Sequence, residues 1–374
     1  MVAFKTMNIV IAPLLLMHLL ETTNAAASSN ITTNEAALLA FKSQITFDPF
    51  EILSNNWTKG TEICNWIGIS CSRRHHERVT ALVLRSLILD IANNSFHGKI
   101  PYEIGRLRRI EYLSLQMNNL TGEIPASIGL LNKIDILDLS DNNLHGHVPF
   151  NVSPSLLIMD LGQNGLTGNI PTEFCTSVPN LQGLSLSNNQ LVGQIPSGLN
   201  KCTQLLYLSL SYNQSSQLPS GLDKCKELVY LALSYNLFRG NLPSQMWNST
   251  KLQDLFLGWN NLTGHIPSEI DNLSALQRLS LRRNNLVGFL PPSIGNLSNL
   301  EMIDLGENSL RGDIPREFEH LVNLKELYLS SNRLSGEVPR SIFNISGLEK
   351  IAFVANNELS GILPSNIGHS LPNS

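Results

Sequence analysis

The sequence predicts a repeat solenoid of the α/β class. The expected form is a right-handed superhelix of stacked coils with a concave parallel β-sheet and a helical cap at its N-terminal end. Three observations predict it. The pattern LxLxxNxLxGxIP recurs along most of the 374-residue chain. The asparagine at its centre falls at Asn94, Asn118, Asn142, Asn164, Asn189, Asn213, Asn236, Asn260, Asn284, Asn308, Asn332 and Asn356. The spacings are 24, 24, 22, 25, 24 and 23 residues, then 24 to the end. A segment of different pattern, residues 28–78, precedes the array.

Each motif position has a physical reason. In the coil that begins "LFLGWNNLTGHIP", Leu255 and Leu257 flank Phe256. Alternation over so short a run is a strand with leucines on one face and the aromatic on the other. Stacked coils then hydrogen-bond these strands into a parallel sheet at about 4.8 Å spacing. Leu262, Ile266, Ile270 and Leu273 close the coil over the core. Gly264 suits a positive φ and Pro267 stiffens the following turn. Asn260 sits where the chain leaves the strand and bends, so backbone groups there turn inward without a sheet partner. One amide carries both donors and an acceptor, and a stack of them satisfies those groups coil after coil. A leucine there would leave polar groups unpaired, at about 1–3 kcal/mol each. The stretch "YNQSSQLP" after Tyr212 lacks the usual leucine and glycine, which makes that coil the most irregular.

Composition sets the compartment and excludes some partners. The net charge is −4 and there is no basic run, which argues against nucleic acid. Lys5, the apolar stretch Asn8–Leu20 and the small residues Thr22–Ala27 read as a secretory signal peptide, residues 1–27, cleaved near Ala25 or Ala27. Pro13 and His18 interrupt that stretch, which is short of the ~20 residues a bilayer span needs, and no later segment is long enough. Five cysteines in an oxidising compartment invite a disulfide. Cys64 and Cys71 bracket a short loop. Cys202 and Cys225 occupy equivalent positions on adjacent coils, within reach of a bridge, but such positions usually hold buried small hydrophobes and free thiols are expected. Cys175 is offset in its coil and expected to stay unpaired. Glycosylation sequons begin at Asn30, Asn56, Asn93, Asn119, Asn151, Asn213, Asn248, Asn261, Asn272, Asn296 and Asn344, consistent with a glycosylated surface. Asn213 is also a ladder residue and is expected buried and unmodified.

From about Thr33 onward, these residues resemble a plant extracellular leucine-rich-repeat protein, whose 24-residue unit carries LxGxIP. "NEAALLAFKSQI" (34–45), "DPFEILSNNW" (48–57) and "CNWIGISC" (64–71) resemble the N-terminal cap of plant receptor kinases, and "SRRHHERVTALVL" (72–84) the start of their first repeat. The combination is most similar to the branch of immune receptors for bacterial patterns. The resemblance implies a Cys64–Cys71 disulfide, a cap shielding the open end of the stack, a co-receptor, and a kinase elsewhere in the protein. It divides the chain into signal peptide 1–27, cap 28–78 and an array of about 12 repeats over 79–374, the last incomplete. Two departures stand out. Leu84 and Ile91 hold the same motif position only seven residues apart, so about 17 residues of a coil are missing and the join should be irregular. The chain stops ten residues after Pro364, inside a coil, without a closing cysteine pair, a span, or kinase motifs such as HRD or DFG. The expectation is an ectodomain truncated before its membrane helix and kinase.

Function is expected on the concave face, where residues between the core leucines answer to a partner and not to packing. Most are small or polar, such as Ser114, Ser185, Ser209 and Ser280. Large ones cluster: Tyr207 and Tyr212, Tyr230 and Tyr235, Phe256 and Trp259 on three successive coils, then Arg278, Arg282 and Arg283 on the next. Four strands span about 15 Å, the reach of a four- or five-residue extended peptide. Aromatics offer rigid contact area and arginine forks onto a carboxylate or phosphate. The sequence equally allows cross-strand packing, with the arginines paired to Glu301, Asp304 and Glu307 on the following coil. Asp138 and Asp160 approach the separation used by retaining glycosidases, yet aspartate simply recurs in LDL, and no nucleophile–base pair or phosphate loop accompanies it. His75 and His76 read as a solvated loop. No cofactor or metal is expected. The preferred reading is an extracellular receptor ectodomain for a peptide or protein ligand, in immune or developmental signalling, at the cell surface or in the apoplast. The alternative is a secreted inhibitor of a microbial enzyme or a soluble decoy.

Overall fold

The computed structural model describes residues 39, 58–59, 61–62, 69–71, 79–82, 87–218, 221–352 and 355–362. The signal peptide, the helical cap, the Cys64–Cys71 pairing, Asn30, Asn56 and the His75–His76 loop lie outside the described residues.

Twelve short strands, one per coil, form a single parallel sheet from Leu87–Asp90 to Lys350–Ala352, in sequence order. Leucine alternation produces them: Leu255 and Leu257 are fully buried and Phe256 between them is half-exposed. Each coil turns back through a short second strand and, in most coils, a 3-10 turn that begins after a proline, as at Pro267 and Ser268–Asn272. Leu262, Ile266, Ile270 and Leu273 all point into the continuous core. The second strands break into ladders of six, two and four. The first break follows Gln214–Gln217, in the coil that lacks the leucine and glycine. Ser215 fills the leucine's place and the pairing slips between Gly193 and Gln194.

The asparagine ladder joins the coils. The Asn260 amide Nδ2 donates to the carbonyls of Leu233, Leu257 and Gly258 at 3.0–3.1 Å, and its Oδ1 accepts from Phe238 N–H at 3.1 Å. Asn118, Asn142, Asn164, Asn189, Asn213, Asn236, Asn284, Asn308 and Asn332 reach the preceding coil in the same way. Asn94, in the first described coil, donates within its own bend, to the carbonyls of Ile91 and Ala92. The last coil corrects the register. Asn357, not Asn356, holds the ladder place, donating to Leu329 O and accepting from Leu334 N–H. Asn356 is exposed with φ 58° and donates to the Ser331 hydroxyl. The leucine two residues beyond the ladder amide fixes the place. Leu359 belongs with Asn357, which makes that coil 25 residues long, counting from Asn332 to Asn357.

The residue before each ladder amide has positive φ in all twelve coils, among them Tyr212, Tyr235, Trp259 and Arg283. Bulky side chains rarely adopt this conformation. It persists because both neighbouring N–H groups find carbonyls on the next coil: Tyr235 N–H bonds Gly258 O at 3.0 Å and Asn236 N–H bonds Trp259 O at 3.2 Å.

The cysteines differ from expectation. Cys175 and Cys202 form a disulfide, with Cα atoms 5.1 Å apart. Cys175 lies in the short helix Phe174–Ser177, which turns its side chain toward the next coil. Matching motif positions alone hid this approach. Cys225 is buried one coil on, its thiol 3.6 Å from Leu199 O. At the N-terminal join, Ile69–Cys71 pairs antiparallel with Val79–Leu82, and the first described strand of the parallel sheet is Leu87–Asp90.

Asn260→Leu keeps the volume and strands the carbonyls of Leu233, Leu257 and Gly258 and the Phe238 N–H. A stability loss of about 1–3 kcal/mol or more is expected, read by urea unfolding against the parent chain. After expression through a secretory pathway, glycopeptide mapping is expected to find Asn213 unmodified, because its amide is 8% exposed and fully engaged.

Candidate recognition surface on the concave sheet

The strand register decides which large side chains meet. Tyr207, Tyr230, Asp254 and Arg278 pair across successive strands in one row. Phe256 lies in the neighbouring row, opposite Ala232 and Ser280. The Tyr207 and Tyr230 rings stack at 4.4 Å, and Tyr230 meets Phe256 edge-on at 5.8 Å. The Arg278 guanidinium closes this column, 5.5 Å from the Phe256 ring centre. A second column rises from the positive-φ row. Tyr212 stacks on Tyr235 at 4.2 Å, Tyr235 on Trp259 at 4.6 Å, and Arg283 lies 4.1 Å over the indole. The columns therefore bring eight of the nine residues together; Arg282, which stacks on no ring among the described residues, joins through the carboxylates of Asp304 and Glu307.

The arginines are already engaged. Arg278 forks back onto Asp254, with Nη2 at 2.7 Å from Oδ2 and Nε on Oδ1. Arg282 donates to Glu307 and lies 3.9 Å from Asp304; Arg283 lies 3.9 Å from Glu307. Glu301 pairs instead with Lys325 at 2.8 Å. Three cations thus face Asp254, Asp304 and Glu307, and the cluster is close to neutral. Asp254 is the side chain of this candidate surface that the sequence reading missed. Its place before the strand leucine, equivalent to Tyr230 and Arg278, is the signal that marks it. Burial pushes the Tyr230 hydroxyl up to about 12, with Tyr207 adding to the shift, so it stays protonated. The fork from Asp254 raises Arg278 further above its ordinary value.

The opposite half of the sheet is acidic. Asp138 Oδ1 accepts from Ser140 N–H at 3.0 Å and from its hydroxyl at 2.6 Å. Asp160 Oδ1 accepts from Gly162 N–H at 2.8 Å, and Asp90 from Ala92 N–H at 3.0 Å. Each carboxylate therefore braces the bend of its own coil, the side-chain turn typical of aspartate. Among the described residues, no three His, Cys, Asp or Glu side chains are placed to hold a metal. No described helix is long and apolar enough to cross a membrane.

Burial raises Asp138 and Asp160 above the usual aspartate value of 3.8, and the neighbouring carboxylates Asp160 and Asp90 add to the rise at Asp138. A raised folded-state value means stability that is present at low pH and lost as pH climbs through it. Asp138→Asn keeps the acceptor for Ser140 and removes the charge. Its Tm is expected to exceed the parent's at neutral pH, with the gap narrowing as pH falls and closing below 3.8. Thermal unfolding across the pH range checks this.

Comparison with known proteins agrees with the geometry. A leucine-rich-repeat N-terminal domain model matches residues 32–72, and leucine-rich-repeat models match 109–131, 180–202, 251–273 and 274–334. The LRR receptor-like serine/threonine-protein kinase EFR of Arabidopsis thaliana is 34% identical over 104 residues, which is 23% of this chain and 10% of that receptor. The crystal structure of a TDR receptor is 33% identical, with a TM-score of 0.73 over 76% of this chain and 50% of that one. The ectodomain of the Arabidopsis receptor kinase HAESA, solved with an extended IDA peptide hormone, is 33% identical, with a TM-score of 0.71 over 90% of this chain and 55% of that one. HAESA has also been solved with IDA and the co-receptor SERK1, at 28% identity and a TM-score of 0.66, over 89% of this chain and 59% of that one. The matches thus span about half the length of those solved chains and a tenth of the curated receptor. This chain carries leucine-rich repeats and an N-terminal leucine-rich-repeat domain, and is homologous to the ectodomains of plant leucine-rich-repeat receptor kinases.

Proposed function

We propose that this chain is the extracellular recognition part of a plant receptor-like kinase, taking a peptide or protein ligand on its concave sheet. The role is in immune or developmental signalling, at the cell surface. The observation that carries it is the pair of ring columns. Six aromatic residues from three coils stand on the concave face, and the first ring of each column is exposed: Tyr207 is 39% and Tyr212 52% exposed. None of the six belongs to the buried core. Ring area presented on a rigid sheet is the composition of binding hot spots. The solved relatives support the reading, since HAESA carries the IDA peptide and, in a second structure, the SERK1 co-receptor. A co-receptor is accordingly proposed as a second partner. Catalysis plays no part in this proposal. The aspartates that resemble a glycosidase pair are tied into their own bends.

The nearly neutral arginine cluster shapes the expected ligand. Arg278 has its fork filled by Asp254, so ring contact and shape, more than free positive charge, would select the ligand at this end.

The test immobilises the parent chain and a Tyr235→Ala/Trp259→Ala/Arg283→Ala variant and exposes both to a fractionated plant apoplastic peptide extract. Mass spectrometry is expected to find a set of peptides retained by the parent and reduced roughly tenfold or more on the variant, since aromatic and arginine anchors dominate such contacts. Equal retention by a folded variant refutes the proposal.

A further inference from the structure

The proposed recognition role leaves open what chemistry the ligand brings, and one row of the sheet narrows it. Across successive strands the row reads Tyr112, Ile136, Ile158, Gly183, Tyr207, Tyr230. Large side chains stand on both sides of Gly183, and at Gly183 there is none. A Cβ built on this glycine meets only Ile158 atoms within 4 Å, at 3.6, 3.7 and 4.0 Å. The Tyr207 ring lies against Tyr230 on its other side, at 4.4 Å. The face of Tyr207 toward Gly183 therefore ends the stack.

Size decides what fits. Ile158 and Tyr207 lie two strand spacings apart, about 9.6 Å. Ile158 leans toward the glycine by about 1 Å, judging from its 3.6 Å approach to the Cβ position against a ~4.8 Å strand spacing. The remaining ~8 Å accepts one ring with a van der Waals contact of about 3.5–4 Å on each face. Gly183 does not have positive φ, so nothing in its backbone demands a glycine.

Charge decides what stands beside it. Two residues further along the strands, and so on the same face about 7 Å away, the adjacent row carries Asp138, Asp160 and Ser185. The arginines at the far end are matched by Asp254, Asp304 and Glu307, so the uncompensated charge near the gap is negative. An extended chain crossing the sheet advances about 3.3 Å per residue against ~4.8 Å per coil. Two coils therefore correspond to about three residues.

We propose that the gap over Gly183 is a subsite for one aromatic side chain of an extended peptide, and that Asp160 and Asp138 receive a basic residue two or three positions away in the same peptide. The ring continues the Tyr207–Tyr230 stack by one member, and the base is drawn to the acidic half of the sheet.

The probe is the capped tripeptide Ac-Arg-Ala-Phe-NH2 with a 4-fluorophenylalanine ring, titrated by ¹⁹F NMR against the whole chain. Saturable binding is expected. In Gly183→Leu, which fills the gap, the dissociation constant should rise roughly tenfold or more, as loss of a stacked, buried ring implies. Replacing the probe's arginine with glutamate should weaken binding to the parent chain, and methyl β-glucoside should not compete. Thermal unfolding of Gly183→Leu reports its fold; should it unfold, Tyr207→Ala, which removes the other wall, serves in its place with the same expected loss. Unchanged affinity in either folded variant overturns the subsite, as does displacement by the glucoside but not by N-acetylphenylalaninamide. If the Tyr235/Trp259/Arg283 variant loses apoplastic peptides while Gly183→Leu leaves the probe unaffected, the subsite is refuted and the recognition role stands. If the variant retains those peptides and Gly183→Leu abolishes probe binding, the recognition role proposed for the ring columns fails and the subsite stands.

Discussion

The amide of a single asparagine per coil is the constraint on which the molecule depends. At the bend after each strand, inward-facing carbonyls and an N–H have no sheet partner, and burying them bare is costly. Asn260 answers four of them at once and links its own coil to the preceding one. Repeated along the array, this bond set makes every coil part of the hydrogen-bonding environment of the one before it. Leucine burial supplies the driving force, but it is non-directional. The amide gives the stack its register.

That register is what places the candidate site. Positive φ before each ladder amide turns Tyr212, Tyr235, Trp259 and Arg283 onto one rim in sequence. Their ring separations of 4.2 and 4.6 Å approximate the spacing of adjacent strands. A backbone conformation unfavourable to bulky residues is thus held by the ladder, and it aligns these side chains in one column. The same strand spacing makes a missing side chain, at Gly183, equivalent to a vacancy in a column. The candidate surface is built from rows across coils, since each coil contributes only a few of its large side chains.

Charge pairing follows the same geometry. Arg278 pairs with Asp254 because both stand in one row, not because they are close in sequence. Asp138, Asp160 and Asp304 look alike in the repeat and behave alike, each accepting from the N–H two residues on. Their carboxylates serve the turn first, and burial raises them without any catalytic arrangement.

The sequence by itself determined the solenoid, its strand positions, the core leucines and the clustering of aromatics and arginines, because each of these depends on spacing within one coil. It also marked the irregular coil at Ser215. It misplaced the final ladder amide at Asn356, since a count of 24 residues was followed where the leucine two positions on selects Asn357. It missed the Cys175–Cys202 bridge, which depends on how a short helix in one coil faces the next. The fork between Arg278 and Asp254, the ring order within each column and the gap over Gly183 were decided only by the stacking of coils. Those contacts join residues more than twenty positions apart, and a pattern of period 24 reports which residues are equivalent but not the direction in which their side chains lean.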